Sequence, residues 1–180
     1  FMMSNLKDSA LNHIDIALQY ARRTSNKAIL AECFHQQAST YKTFGQLELG
    51  VAKDILALQI ANEIRNYHQI AVFSIEIGKS QFSIHNLQEA EYYFKQALEN
   101  ANRVSDDRQR GLAMVELATI YFSRKNYNDA IQNCQKAINI FEDLNTQEGL
   151  GNAFNILGII YREQKEFNKA GTQFNQALIY

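Results

Sequence analysis

The chain has 180 residues, of which 46% are hydrophobic and 21% are charged, and these fractions are typical of a soluble globular protein. Its formal net charge is -1, from 18 Lys+Arg and 19 Asp+Glu, which excludes the basic excess that draws proteins onto nucleic acid or anionic lipid. Because no apolar run approaches the roughly 20 residues that cross a bilayer, we expect a soluble, cytoplasmic protein with neither nucleic acid nor membrane as its partner.

The sequence repeats itself every 40 residues. Small residues occupy one position of this period, at Ala10, Gly50, Ala90, Ala130 and Ala170. Alanines occupy a second position, seven residues later, at Ala17, Ala57, Ala97, Ala137 and Ala177. A fixed period of this length is the signature of a protein built from stacked repeats. Such proteins present long surfaces to partners rather than enclosing a reaction chamber.

In chain order, the pattern predicts a single helix over 6–24 and then four helix pairs. The pairs are predicted at 27–44/46–65, 67–84/87–104, 107–124/127–144 and 147–164/167–180. In the last pair Phe154, Leu157, Gly158 and Tyr161 fall on one stripe of a helix, as the 3.6-residue period requires. The short junctions force each pair into an antiparallel hairpin. The chain therefore reads as one array, 1–180, with repeats at 27–65, 67–104, 107–144 and 147–180.

Polar residues mark the predicted helix starts, and the chain contains no proline. Asn145 with Glu148 three residues later predicts a capping box. Ser105 or Asp106 would cap the preceding unit. Asn66, and Ser25 or Asn26, stand at the equivalent earlier junctions.

The last unit resembles the tetratricopeptide repeat family. That family's pattern is an aromatic, two residues, Leu-Gly, two residues, Tyr, and later Ala, three residues, Phe. This sequence supplies Phe154, Leu157, Gly158, Tyr161, Ala170 and Phe174. The longer, 40-residue unit is similar to those of kinesin light chains, spindle-orientation adaptors and bacterial Rap-type regulators. The resemblance implies an all-α fold, an α-solenoid of antiparallel helix hairpins with a right-handed superhelix and about nine helices.

The resemblance also implies that the first helix of each pair lines a concave, peptide-binding groove. By position, this groove would present His35, Gln36, Lys42, Ile75, Glu76, Lys79, Phe82, Val115, Glu116, Thr119, Phe122, Asn152, Asn155, Ile159 and Arg162. For Ile75 and Val115 an alternative is that they pack between neighbouring helices. At least one of Phe82 and Phe122 is expected to face the groove as an apolar anchor.

No catalytic or metal-binding constellation stands out. The four histidines show no HxxxH or HExxH spacing, and the two cysteines, Cys33 and Cys134, occupy apolar positions of helices too far apart to pair in a stack. We therefore expect no enzymatic activity, no cofactor and no metal.

The charges argue against one known use of such grooves. Tetratricopeptide co-chaperones hold a C-terminal carboxylate with a Lys/Asn/Arg clamp, and the clamp asparagine falls here on Gln36, Glu76, Glu116 and Ile156. Two stacked carboxylates would repel an acidic tail. A ligand with apolar anchors and a basic residue near Glu76 and Glu116 fits better.

Three functional hypotheses follow. The first is a non-enzymatic interaction scaffold that binds a protein, as a peptide or helical segment, in the groove. The second is a sensory or regulatory segment of a larger signalling protein, peptide-responsive or fused to a cyclase, kinase or DNA-binding domain, since the chain stops inside an apolar stripe at Tyr180 and the fourth repeat reads as truncated. The third is an array whose main contact is its own copy, as a homodimer through the terminal helices.

Overall fold

The all-α fold expected from the sequence is confirmed. The computed structural model describes the backbone of residues 2–180 and the side chains of residues 7–180, so that Phe1, the first residue of the predicted array, lies outside the described residues. Over 2–180 the chain forms nine helices and no strand. They are α1 (Met2–Arg23), α2 (Lys27–Thr43), α3 (Leu47–Glu63), α4 (Tyr67–Ser83), α5 (Leu87–Arg103), α6 (Asp107–Ser123), α7 (Tyr127–Asp143), α8 (Leu150–Glu163) and α9 (Phe167–Ala177).

The helices pair as the short junctions predict. Helix α2 packs along α3, α4 along α5, α6 along α7 and α8 along α9, and we call these pairs hairpins 1 to 4. Helix α1 packs on α2, and each hairpin packs on the next. We call α2, α4, α6 and α8 the first helices, and α3, α5, α7 and α9 the second helices. None of the helices within residues 2–180 is long and apolar enough to cross a membrane.

Seven of the eight links between α1 and α9 end one helix and start the next within three residues, and the link between α7 and α8 has six. At Lys125 the backbone turns into the left-handed region with φ 60°. Its N–H donates to the Phe122 carbonyl at 2.8 Å, and the Asn126 N–H donates to the Tyr121 carbonyl at 2.9 Å, which is the Schellman pattern. The Asn126 side chain then accepts a hydrogen bond from the Asp129 N–H and caps α7.

The same turn recurs along the whole chain. A residue with positive φ stands in every link, at Ser25, Gly45, Arg65, His85, Ser105, Lys125, Asn145 and Lys165. Of the predicted caps, Asn26, Asn66 and Asp106 each accept a hydrogen bond from the third residue of the following helix. The predicted capping box at Asn145 is wrong, because Asn145 takes the positive-φ position of the turn, with φ 49°.

Helix α8 begins at Leu150 rather than at residue 147 as predicted, and Phe141 explains the delay. Its fully buried ring stands where hairpins 1 and 2 have Ala61 and Ala101. A Cβ on Gly111 would lie 2.7 Å from this ring, and one on Gly149 would lie 2.4 Å from it. The ring therefore fits only between two glycines, and it fills space beside the residues that would otherwise form the first turn of α8.

Most alanines of the 40-residue period lie at close helix contacts, although Ala17 of α1 is exposed. Ala90 and Ala130 are fully buried, and Ala170 is almost so. The alanines seven residues later are also fully buried at Ala97 and Ala137. A methyl group is the largest side chain that such close approaches accept.

Candidate functional site

The first helices form one shared surface that crosses the hairpins. Helix α4 contacts α6, and α6 contacts α8. Between α2 and α4 the Gln69 side-chain amide donates to the Ala28 carbonyl at 3.0 Å. Residues at equivalent positions of successive first helices are therefore neighbours on this surface.

A row of alternating charges lies across α2, α4 and α6. The Lys42 ammonium is 3.5 Å from the Glu76 carboxylate, and the Lys79 ammonium is 3.0 Å from the same carboxylate. Lys79 also lies 3.9 Å from the Glu116 carboxylate. We call Lys42, Glu76, Lys79 and Glu116 the charge row. Glu76 thus has two ammonium partners, whereas Glu116 has one, at the limit of an ion pair.

The two carboxylates of the charge row consequently differ in acidity. Burial opposes ionisation of Glu76, but Lys79 and Lys42 outweigh this and hold its pKa below the usual range. Burial raises the pKa of Glu116 by more than Lys79 lowers it, and the nearby Glu76 charge raises it slightly further. Glu116 is therefore the carboxylate of the row whose charge the protein itself compensates least.

Asp54 of α3, which the sequence reasoning missed, holds the start of this row in place. Its side chain is fully buried, and its two oxygens accept from the His35 ring at 2.7 Å and from the Lys42 ammonium at 2.8 Å. The other hairpins have Phe94, Cys134 and Phe174 at this position. An acid at an otherwise apolar position of the repeat was the available signal. Because Lys42 lies between Asp54 and Glu76, its charge is already compensated.

Two predicted groove residues, Ile75 and Val115, do not reach the surface. They are only 2% and 4% exposed. Ile75 packs with Ala97 and Ala113, and Ala113 belongs to the following hairpin. Val115 packs within the core of hairpins 3 and 4. The packing alternative is therefore the correct one, because this position of the first helix faces the next hairpin.

His35 and Asn155 occupy the same position of the first helix. The His35 ring lies 4.9 Å from the ring of Phe73 in the following hairpin. Asn155, in the fourth hairpin, is exposed, as is Asn152. Both asparagines line a cavity of about 460 Å³ with residues of α9 and with Tyr180. They therefore lie at the end of the described stack, away from the charge row.

The aromatic residues Phe82 and Phe122 are half-buried rather than freely exposed. Phe82 packs against a core that includes Leu117 and Ile120. The Phe122 ring lies 6.1 Å from the ring of Tyr127. They therefore leave only part of each ring accessible at the surface. Of the other predicted groove residues, Thr119 and Ile159 are half-buried, and Gln36, Lys79 and Arg162 are exposed.

Comparison with known proteins now adds to this geometry. Residues 109–178 match the family model of the tetratricopeptide repeat, and the remaining hairpins repeat the same helix pairing. The match covers α6 to α9, so this part of the chain has the sequence of tetratricopeptide repeats. A search of curated proteins found no match for it.

Solved structures with the same fold include helical arrays from several proteins. The apo form of RapI superposes with a TM-score of 0.81 at 18% identity, covering 97% of this chain and 48% of RapI. A Rap protein complexed with Competence and Sporulation Factor superposes with a TM-score of 0.79 at 20% identity, covering 99% of this chain and 49% of the Rap chain. BtubC from P. vanneervenii superposes with a TM-score of 0.72 at 22% identity, covering 84% of this chain and 63% of BtubC. This chain thus spans about half the length of the two Rap chains.

The array shows no assembled reaction centre in its described part. Within it, no three His, Cys, Asp or Glu side chains are grouped so as to hold a metal ion. Cys33 and Cys134 are free and buried. Burial raises the pKa of both thiols, that of Cys134 to about 12, so at neutral pH neither provides the thiolate that acts as a nucleophile.

Proposed function

We propose that this array is a non-enzymatic scaffold that binds a peptide or helical segment of another protein across its first helices. The observation that carries the proposal is the charge row, which crosses three hairpins on one shared surface and ends in a poorly compensated carboxylate. A long surface of this kind suits an extended or helical segment.

The charge row specifies what the segment should carry. Lys42 and Lys79 are both engaged by carboxylates of the protein, so they leave little attraction for an acidic ligand. The Glu116 carboxylate has only one cationic partner, Lys79, at 3.9 Å, so a second cation can still pair with it. Its side chain is 22% exposed, which leaves it accessible to an incoming guanidinium or ammonium group. A basic residue of the ligand would therefore pair with Glu116 rather than with Glu76.

Half-buried apolar groups lie at equivalent positions of neighbouring first helices. Phe82 and Phe122 are half-buried one hairpin apart. Ile159, at the position equivalent to Lys79 and Thr119, is half-buried on α8. Apolar contact with these side chains would supply most of the affinity, and the charge contact would set the register of the bound segment.

A random 12-residue peptide library displayed on phage tests this proposal. We expect selection on the 180-residue chain to enrich peptides with one Arg or Lys beside apolar residues. Binding of the enriched peptides to Glu116→Lys should be at least about tenfold weaker, because the reversal places two cations together.

The matched control is Glu142→Lys, which reverses an exposed carboxylate on the second helix α7. It should leave the affinity unchanged. Peptides that bind wild type and Glu116→Lys equally well, or a selection that enriches no peptide, would contradict the proposal.

A further inference from the structure

A cavity of about 490 Å³ opens on the second helices, at the junction of hairpins 1 and 2. It lies between the end of α3, the start of α4 and one face of α5. Its lining includes the almost fully buried Ile70 and three basic side chains, Arg65, Lys95 and Arg103. None of the charge-row residues lines it. We call it the Arg65 cavity.

Three residues of this cavity differ from every equivalent residue of the chain. Arg65 stands where the equivalent links have Ser25, Ser105 and Asn145. Tyr92 stands where α1 and the other second helices have Asn12, Ala52, Gln132 and Thr172, and Lys95 stands where they have Asp15, Ile55, Gln135 and Asn175. Arg103 has an equivalent in Arg23 of α1, whereas hairpins 1 and 3 have Glu63 and Asp143 there. Three departures that converge on one cavity indicate a feature specific to this junction.

The cavity carries an excess of positive charge. Glu99 is the one acid among its lining residues, and Arg103 donates to it at 2.7 Å. Lys95 lies 2.6 Å from Glu91, which is outside the lining. A guanidinium has five N–H donors and an ammonium three, so both groups keep donors free. No ion pair of Arg65 is found among the side chains of residues 7–180.

Aromatic rings accompany these cations. The Arg103 guanidinium lies over the Tyr67 ring, 5.3 Å from its centroid. The Tyr92 ring lies edge-on to that of Tyr93, with the ring centroids 5.2 Å apart and an angle of 77° between the ring planes. Tyr92 is 59% exposed. An exposed aromatic face beside a basic group suits a ligand that has a ring as well as a negative charge.

We propose that the Arg65 cavity binds an oxyanion attached to an aromatic ring, with an aryl phosphate as the chemistry that fits. Arg65 and Arg103 hold the phosphate through charge-assisted hydrogen bonds, Lys95 adds to the field, and the ring stacks on Tyr92. The site is independent of the charge row, so it stands whether or not a peptide binds the first helices.

Titration of the 180-residue chain with phenyl phosphate, followed by amide chemical shifts in NMR, tests this inference. The shifts should be largest around Arg65, Tyr92 and Arg103 and should weaken with added salt. Inorganic phosphate and phenol, each with half of the ligand's chemistry, should both bind at least about tenfold more weakly.

The variants are Arg65→Gln and Arg103→Gln, each expected to weaken phenyl phosphate binding about tenfold or more. Lys136→Gln is the control, since it removes an exposed cation from α7 in the next hairpin and should change nothing. Thermal melting of each variant reports whether it is folded. Absence of shifts at the cavity, or equal affinity of the folded Arg65→Gln variant, would overturn the proposal. If inorganic phosphate bound as tightly as phenyl phosphate, the proposed contact between the ligand's ring and Tyr92 would be wrong.

Discussion

At the scale of single residues, the hairpins are matched by size across their two helices. Gly78 faces Phe94 and Gly158 faces Phe174, and a Cβ on either glycine would lie within 2.6 Å of the opposing ring. In the other two hairpins an alanine takes the glycine's place, and Asp54 or Cys134 takes that of the phenylalanine. A large ring on the second helix therefore requires a bare backbone on the first.

This matching predicts that Gly78→Ala lowers the free energy of unfolding by about 1–2 kcal/mol, because the overpacking against Phe94 exceeds the gain in helix propensity. Urea denaturation measures the change. Gly171→Ala is the control, since that helical glycine has no atom within 4 Å of the added Cβ, and it should gain about 0.5–1 kcal/mol. A Gly78→Ala variant as stable as Gly171→Ala would show that the ring moves aside at no cost.

At the scale of elements, one kind of turn is used for all eight links. A residue in the left-handed region completes the Schellman hydrogen bonds of one helix, and in most links the next residue caps the following helix. The left-handed conformation is strained for a residue with a Cβ. Seven of the link residues nevertheless carry a side chain, and Gly45 is the exception.

We therefore expect Lys125→Gly to stabilise the chain by about 0.5–1 kcal/mol, as relief of the left-handed strain exceeds the added freedom of the unfolded glycine. Lys125→Ala keeps the Cβ and serves as the control, with little expected change. The midpoints of urea denaturation of the Lys125→Gly and Lys125→Ala variants measure this difference in stability. Equal midpoints would mean that the turn holds Lys125 without strain.

At the scale of the whole molecule, electrostatics join hairpins that the apolar core joins only pairwise. The chain of contacts from Asp54 through Lys42, Glu76 and Lys79 to Glu116 crosses three hairpins. The two ends of this chain of contacts differ. The Asp54 carboxylate pairs with the His35 ring and the Lys42 ammonium, whereas the Glu116 carboxylate has only the Lys79 ammonium, at 3.9 Å. The imbalance makes part of the stability of the stack depend on pH.

Because the folded-state pKa of Glu116 is raised, its ionisation opposes folding, and the penalty is fully present above that raised pKa. Glu116→Gln should therefore raise the melting temperature at pH 7. The gain should shrink as the pH falls through the raised pKa and be nearly lost below the ordinary value for Glu, about 4.3. Melting curves between pH 4 and pH 8 measure this.

The matched variant is Glu76→Gln, one hairpin earlier in the same row. Its pKa is lowered, so its ionised form stabilises the fold above the ordinary Glu value, and this contribution is lost as the pH falls through the lowered pKa. Glu76→Gln should thus lower the melting temperature at pH 7. The same sign of change for both variants would contradict the assignment of charges along the row.

Much of this architecture could be predicted because it depends on residues that are close together in the sequence. The helix stripes, the short links and caps such as Asn66 and Asp106 depend on residues within a few positions of one another. The late start of α8 could not be predicted in this way. It depends on the Phe141 ring, which contacts Gly111 from a different helix of the same hairpin.

The sequence by itself determined the all-α repeat, the number and pairing of the helices and the surface on which Glu76 and Glu116 lie, since each follows from spacing along the chain. Only the tertiary structure decided that Ile75 and Val115 face the next hairpin, that Asp54 fixes Lys42, and that Glu116 is left nearly alone. The physical reason is that burial and charge compensation depend on distances between side chains of different hairpins. A periodic pattern sets which face a residue occupies, but it does not set those distances.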